Sequence, residues 1–178
     1  MQELEVKILD IDRAACEKIL GELHSRKIYD GILDARFYDY PDHRIQLSKG
    51  LLRLRSDGKK HTLTFKQHPK GKEDKHLKIR QEYEIIVSDF ETAHQFLLAL
   101  GLECTLFIRK HRTSYRLGDS EVEIDEHLDD YAGIPVFMEI EAPSKPILLE
   151  TVTRFGYTLD DCKPWSFFDL IKHYQIKV

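Results

Sequence analysis

No stretch of the chain approaches the ~18 consecutive apolar residues of a membrane-spanning helix, and the N-terminus opens on charged residues where a signal core would be apolar. The expectation is a cytoplasmic protein with no membrane partner. Cysteine is scarce. Cys16, Cys104 and Cys162 are an odd number, far apart and without CxxC spacing, so neither a disulfide framework nor a zinc site is indicated. The nine histidines contain no HExxH or similar pairing. There is also no GxxxxGK(S/T) loop, GxGxxG turn or credible GxSxG elbow. Any phosphate binding must therefore use side chains. An excess of one charge is missing too: 27 Lys and Arg stand against 31 Asp and Glu, a balance that argues against coating a nucleic acid polymer or an anionic membrane. Without low-complexity segments, long linkers or solenoid-length repeats, the 178 residues are expected to form a single domain over 1–178.

What is abundant is charge, at 33% of residues, interleaved with apolar residues in two periods. Helical spacing occurs at 12–26, after a capping Asp12, and at 89–100, after a capping Asp89 and ending at Gly101; two more helices are expected near 144–156 and 165–174. Elsewhere the period is two. Strands are expected near 2–9, 34–40, 51–57, 61–68, 77–87, 105–117, 121–128 and 135–142. The Asp57-Gly58 step and the Leu117-Gly118-Asp119-Ser120 run are hairpin signals, so consecutive strands should be mostly antiparallel. Eight strands are enough to close a barrel. Residues 69–76, PKGKEDKH, read as a mobile hairpin loop.

Residues two apart on a strand share a face, and sorting by parity separates charge from apolarity. Glu3, Glu5 and Lys7 lie opposite Leu4, Val6 and Ile8; Arg53 and Arg55 lie opposite Leu52 and Leu54; Thr62, Thr64 and Lys66 oppose Leu63 and Phe65. Arg80, Glu82 and Glu84 oppose Ile79, Tyr83 and Ile85, while Lys110 and Arg112 follow Ile108. Glu121, Glu123 and Asp125 oppose Val122 and Ile124, and Glu139 and Glu141 oppose Val136, Met138 and Ile140. Two readings fit. In one, the charged face of an ordinary half-buried sheet meets water. In the other, the sheet closes with its ionisable face inward, where burial demands partners that a polyphosphate and a hard divalent cation supply.

In their order along the chain these residues resemble the CYTH superfamily, the triphosphate tunnel metalloenzymes. Glu3-Leu4-Glu5-Val6-Lys7 is similar to the family's ExExK signature; FYDYPDHRIQLSKGLLRLR at 37–55, Lys66, RQEYEI at 80–85, the KxRxxY pattern at Lys110, Arg112 and Tyr115, and EIDEHLDDYAGIPVFMEIE at 123–141 follow in the family's order. The resemblance implies an α+β fold, an eight-stranded antiparallel β-barrel (the triphosphate tunnel) flanked by helices. It implies metal-facing carboxylates at Glu3, Glu5, Asp125, Glu139 and Glu141, binding Mg²⁺ or Mn²⁺. Lys7, Arg53, Arg55, Lys66, Arg80, Lys110 and Arg112 would hold the substrate's phosphates, with Arg80 equally open to an internal ion pair. Glu82 and Glu84 would complete an acidic lining that acts in catalysis with Glu3, Glu5 and Lys7.

The implied activity is divalent-metal-dependent hydrolysis of inorganic triphosphate, thiamine triphosphate or a nucleoside triphosphate. The alternatives are a class IV-type adenylyl cyclase making cyclic AMP and pyrophosphate, and a non-catalytic polyphosphate- or nucleotide-binding module. The expected partner is a small-molecule triphosphate, and the expected assembly a monomer or homodimer. One departure stands at the C-terminus: Trp165-Ser166-Phe167 replaces the Ser-Tyr pair, often preceded by a basic residue, that opens the last helix in many members.

Overall fold

A computed structural model describes residues 2–67 and 78–176, with the side chains of residues 4–67 and 81–176. The loop expected over 69–76 lies outside the described residues. Eight strands are present: β1 Gln2–Ile8, β2 Arg26–Asp39, β3 Leu51–Ser56, β4 His61–Gln67, β5 Lys78–Val87, β6 Glu103–Leu117, β7 Ser120–His127 and β8 Phe137–Ala142. The helices are α1 Arg13–Glu22, α2 Arg44–Leu47, α3 Phe90–Ala99, α4 Lys145–Arg154 and α5 Phe167–His173. Strand neighbours run in the hydrogen-bonded order β1-β5-β4-β3-β2-β6-β7-β8, and β8 pairs antiparallel with β1, so the order closes on itself.

The described residues fall into two compact units, one drawn from Ile32–Lys72 and Arg80–Arg109, the other from Gln2–Gly31 and Lys110–Val178. In the first, β3 and β4 form the hairpin signalled by Asp57-Gly58. Gly58 takes a φ of +85°, which only glycine adopts without strain, and the Asp57 carboxylate accepts from the Lys59 and Lys60 amides at 2.8 and 2.6 Å. The apolar parity of this sheet packs against α3, with Tyr38, Leu54, Leu97 and Leu102 as its buried centre. Asp89 caps α3 by accepting from the Thr92 amide at 2.6 Å.

In the second unit the even-numbered side chains of β1, β7 and β8 make the core. Val6, Ile8, Val122, Ile124, Met138 and Ile140 are buried and pack with Cys16 and Leu20 of α1 and Leu148 and Val152 of α4. Leu20 follows Cys16, and Val152 follows Leu148, by one helical turn, so each pair presents one face. Each fully buried aliphatic side chain contributes about 1.5–3 kcal/mol. With the even parity committed to this core, the odd parity of the same strands is forced onto the opposite face.

Candidate active site

The odd face of the second unit carries its chemistry, and antiparallel register arranges it in rows across β6, β7, β8 and β1. One row is Arg116, Glu121, Glu141 and Glu5; the next is Ser114, Glu123, Glu139 and Lys7; then come Arg112, Asp125 and Phe137, and last Lys110 and His127. Along the strands the face thus changes from acidic to basic and aromatic. It is not a solvated face: Glu5, Lys7, Arg112, Glu123, Asp125 and Glu139 are each 7% exposed or less.

Burial of that many charges requires pairing, and the pairs are present. Lys7 Nζ lies 2.8 Å from Glu139 Oε1 and 3.4 Å from Glu5 Oε1. Arg112 donates through Nε and Nη2 to the two oxygens of Asp125, 2.6 Å each, contacts Glu123 through Nη1, and reaches Glu139 Oε2 at 3.3 Å. Lys110 Nζ sits 2.5 Å from Asp125 Oδ2.

These contacts set the protonation states. Burial pulls the Lys7 ammonium down, but Glu139 and Glu5 more than offset it and hold it well above the usual lysine range. Burial would raise the Asp125 carboxyl, yet Arg112 and Lys110 hold it well below the carboxylate range. Lys110 goes the other way: burial and then Arg112 lower it to about 8. Burial raises Glu123, and the neighbouring Glu139 and Asp125 add to this against the pull of Arg112. His127 is lowered to about 4, first by burial and then by Lys110.

Glu5, Glu139 and Glu141 bring one carboxylate oxygen each to within 4.8 Å of one another. Three hard oxygens at that spacing could coordinate a divalent cation. Asp125, expected among the metal-facing carboxylates, has both oxygens on cations, Arg112 taking the two and Lys110 one of them. Two side chains outside the expected set occupy the same face. Glu123 is at its centre, and His127 ends it against the rings of Phe137 and Phe167, 5.6 and 5.1 Å away between centroids. The parity of 121, 123, 125 and 127 on one strand was the signal available for both.

The first unit gathers the other expected residues on a face of its own. Lys66 Nζ lies 2.7 Å from Glu82 Oε2, Thr64 Oγ1 donates to Glu84 at 3.0 Å, and Arg55 is 3.9 Å from Glu84. Arg53 stands opposite Thr64, and Arg55 opposite Thr62. The side chains of Glu3 and Arg80 lie outside those described. Asp39 of the FYDYPDHR segment holds the following loop: it accepts from the amides of Tyr40, Ile45 and Gln46 at 2.7, 2.9 and 2.8 Å.

At the C-terminal departure, Ser166 caps α5 in a reciprocal box with Asp169, donating from its amide at 2.7 Å. Trp165 packs on His173 and lines a cavity of about 260 Å³ with Ile8, Tyr157 and Lys163. No helix among the described residues is long and apolar enough to cross a membrane.

A protein of Methanocaldococcus jannaschii named "Putative adenylate cyclase" is 28% identical over 141 residues, 79% of this chain and 77% of that one. Among solved structures, a conserved hypothetical protein of Pyrococcus furiosus aligns over 95% of this chain and 99% of its own, with a TM-score of 0.77 and 24% identity. A Hippeastrum protein, HpAC1, whose structure is described with a dominant triphosphatase activity, aligns over 96% and 95% with a TM-score of 0.69 and 17% identity. These likenesses establish the fold as α+β, an eight-stranded antiparallel sheet curled into a barrel and flanked by helices. The family model described as CYTH domain matches residues 1–155, and the chain belongs to the CYTH domain family.

Proposed function

We propose that this protein hydrolyses the terminal phosphoryl group of a triphosphate in a reaction that depends on a divalent metal. The observation that carries the reading is the adjacency, on one buried face, of the Glu5, Glu139 and Glu141 cluster and the cations Lys7, Arg112 and Lys110. The three carboxylates would hold Mg²⁺ or Mn²⁺. Bound there, the ion supplies charge neutralisation for phosphate oxygens and polarisation of the attacking water.

The chain's own residues bind and orient. Lys7, Arg112 and Lys110 are paired with carboxylates, and a polyphosphate offers the same chemistry, so they can exchange one set of oxygens for another without being left as bare buried charges. Arg53, Arg55 and Lys66 are further phosphate-binding residues in this reading, by their place in the family pattern. Phosphoryl transfer needs mainly such positioning and charge stabilisation.

The name of the M. jannaschii relative favours a second reading, cyclisation of ATP to cyclic AMP and pyrophosphate, which the same buried charges serve. Incubation with inorganic triphosphate, thiamine triphosphate and ATP, each with Mg²⁺ or Mn²⁺, separates the readings. Orthophosphate supports the hydrolase, and cyclic AMP with pyrophosphate supports the cyclase. Tight binding without any product makes the protein a binding module.

A further inference from the structure

Buried polar atoms are nearly always hydrogen-bonded, so one that is not calls for an explanation. His127 is 4% exposed, and its Nδ1 has no hydrogen-bond partner. The buried Oε2 atoms of Glu82 and Glu123 are each held in an ion pair, with Lys66 and Arg112. The His127 nitrogen has no such relief.

Its surroundings make a histidine hard to account for by packing alone. The ring is stacked on Phe137 at an interplanar angle of 24° and packs, tilted by 33°, against Phe167, so aromatic carbon makes up much of its surroundings. A phenylalanine would fill that slot without leaving a buried nitrogen unpaired. The position also has a direction. His127 shares the face of Glu123 and Asp125, stands opposite Lys110 in the register, and lies one strand repeat, about 7 Å, beyond Asp125. It feels the charges of Lys110, Asp125, Arg112 and Lys7.

We propose that His127 is a substrate-binding residue: its Nδ1 forms a hydrogen bond with an oxygen of the phosphate chain at the end held by Lys110. The two residues would form the last row of the binding face, with Lys110 supplying charge and His127 a directed contact fixed by the two aromatic rings. This rests on the triphosphate reading above and adds to it the element that positions one end of the chain.

The test is the affinity of His127→Phe for inorganic triphosphate with Mg²⁺, measured by calorimetry beside its melting temperature. An aromatic ring is kept at the position and the nitrogens are lost. The expected result is a dissociation constant raised about tenfold, the scale of one hydrogen bond to a charged group, with no fall in melting temperature. A histidine with only a structural role would give the reverse, a lower melting temperature and unchanged affinity, and that result overturns the proposal.

Should the variant fail to fold, the wild-type protein decides. The imidazole Nδ1 resonance, identified by its absence in His127→Gln, must shift when inorganic triphosphate is added; a resonance that stays put overturns the proposal. Wild-type protein that binds no inorganic triphosphate at all sinks the triphosphate reading along with it. Normal wild-type binding matched by a folded His127→Phe sinks the His127 assignment alone.

Discussion

Glu5 and Asp125, both expected to face a metal, have different neighbours. Glu5 sits beside two other carboxylates, Glu139 and Glu141, so replacing it with Gln removes a repulsion, and Lys7 gives up its 3.4 Å contact with Glu5 but keeps the 2.8 Å one with Glu139. The expected outcome for Glu5→Gln is stability within about 1 kcal/mol of wild type and loss of Mn²⁺ binding, read by denaturant melts and calorimetry. Asp125 is fully buried and binds both Arg112 and Lys110. Asp125→Asn takes the paired carboxylate from Lys110 and the bidentate partner from Arg112, and should lower stability by about 3–5 kcal/mol. Equal stability for the two variants would refute that difference. His127 gives the pH dependence. Its imidazole is near 6.5 when unfolded and about 4 when folded, so the unfolded chain binds the extra proton between those values. The stability from neutral His127 is full above 6.5 and is lost as pH falls toward 4. His127→Phe should therefore lose less stability than wild type between pH 7 and pH 4.5, and parallel losses would contradict the shift.

At the scale of elements, the strongest signals in the sequence were those written locally. Asp12 and Asp89 cap the helices predicted to follow them, and Asp57-Gly58 turns between the strands it was read to join. The misses have long-range causes. The periodic run predicted to be helical to 26 stops at Glu22, because the chain turns at His24 with φ +53° and no glycine announces it. The first half of β2 is largely exposed, with no buried side chain before Leu33, so it lacks an apolar face for the sequence to show. Helix α2 has only four residues, and its Ile45 and Gln46 amides are taken by Asp39, six and seven residues upstream, a long-range cap that no local pattern announces. Helix α5 is tied down by its own box. Ser166→Ala should cost about 1 kcal/mol, seen as a lower urea midpoint at unchanged slope, and an unchanged midpoint would show that packing of Phe167 and Leu170 alone holds the helix.

For the whole molecule, parity was legible and register was not. Alternation alone sorted the ionisable from the apolar side chains correctly on β1, β7 and β8, since the even face became the core. It could not say that Glu123 stands between Ser114 and Glu139, or that His127 stands opposite Lys110, because those neighbours depend on how strands distant in sequence slide against each other. The gradient from the Glu5, Glu141 and Glu121 row to the Lys110 and His127 row is a product of that register. It supports a metal at one end of the face and a phosphate chain toward the other. The measurement that bears on this most directly is orthophosphate release from inorganic triphosphate with saturating Mg²⁺ or Mn²⁺, with and without chelator, in wild type and Glu5→Gln. The account predicts turnover that the chelator abolishes and that Glu5→Gln lowers by about 100-fold, the scale of losing one electrostatic contact at a reacting centre. Turnover indifferent to the chelator, or undiminished in Glu5→Gln, would contradict it.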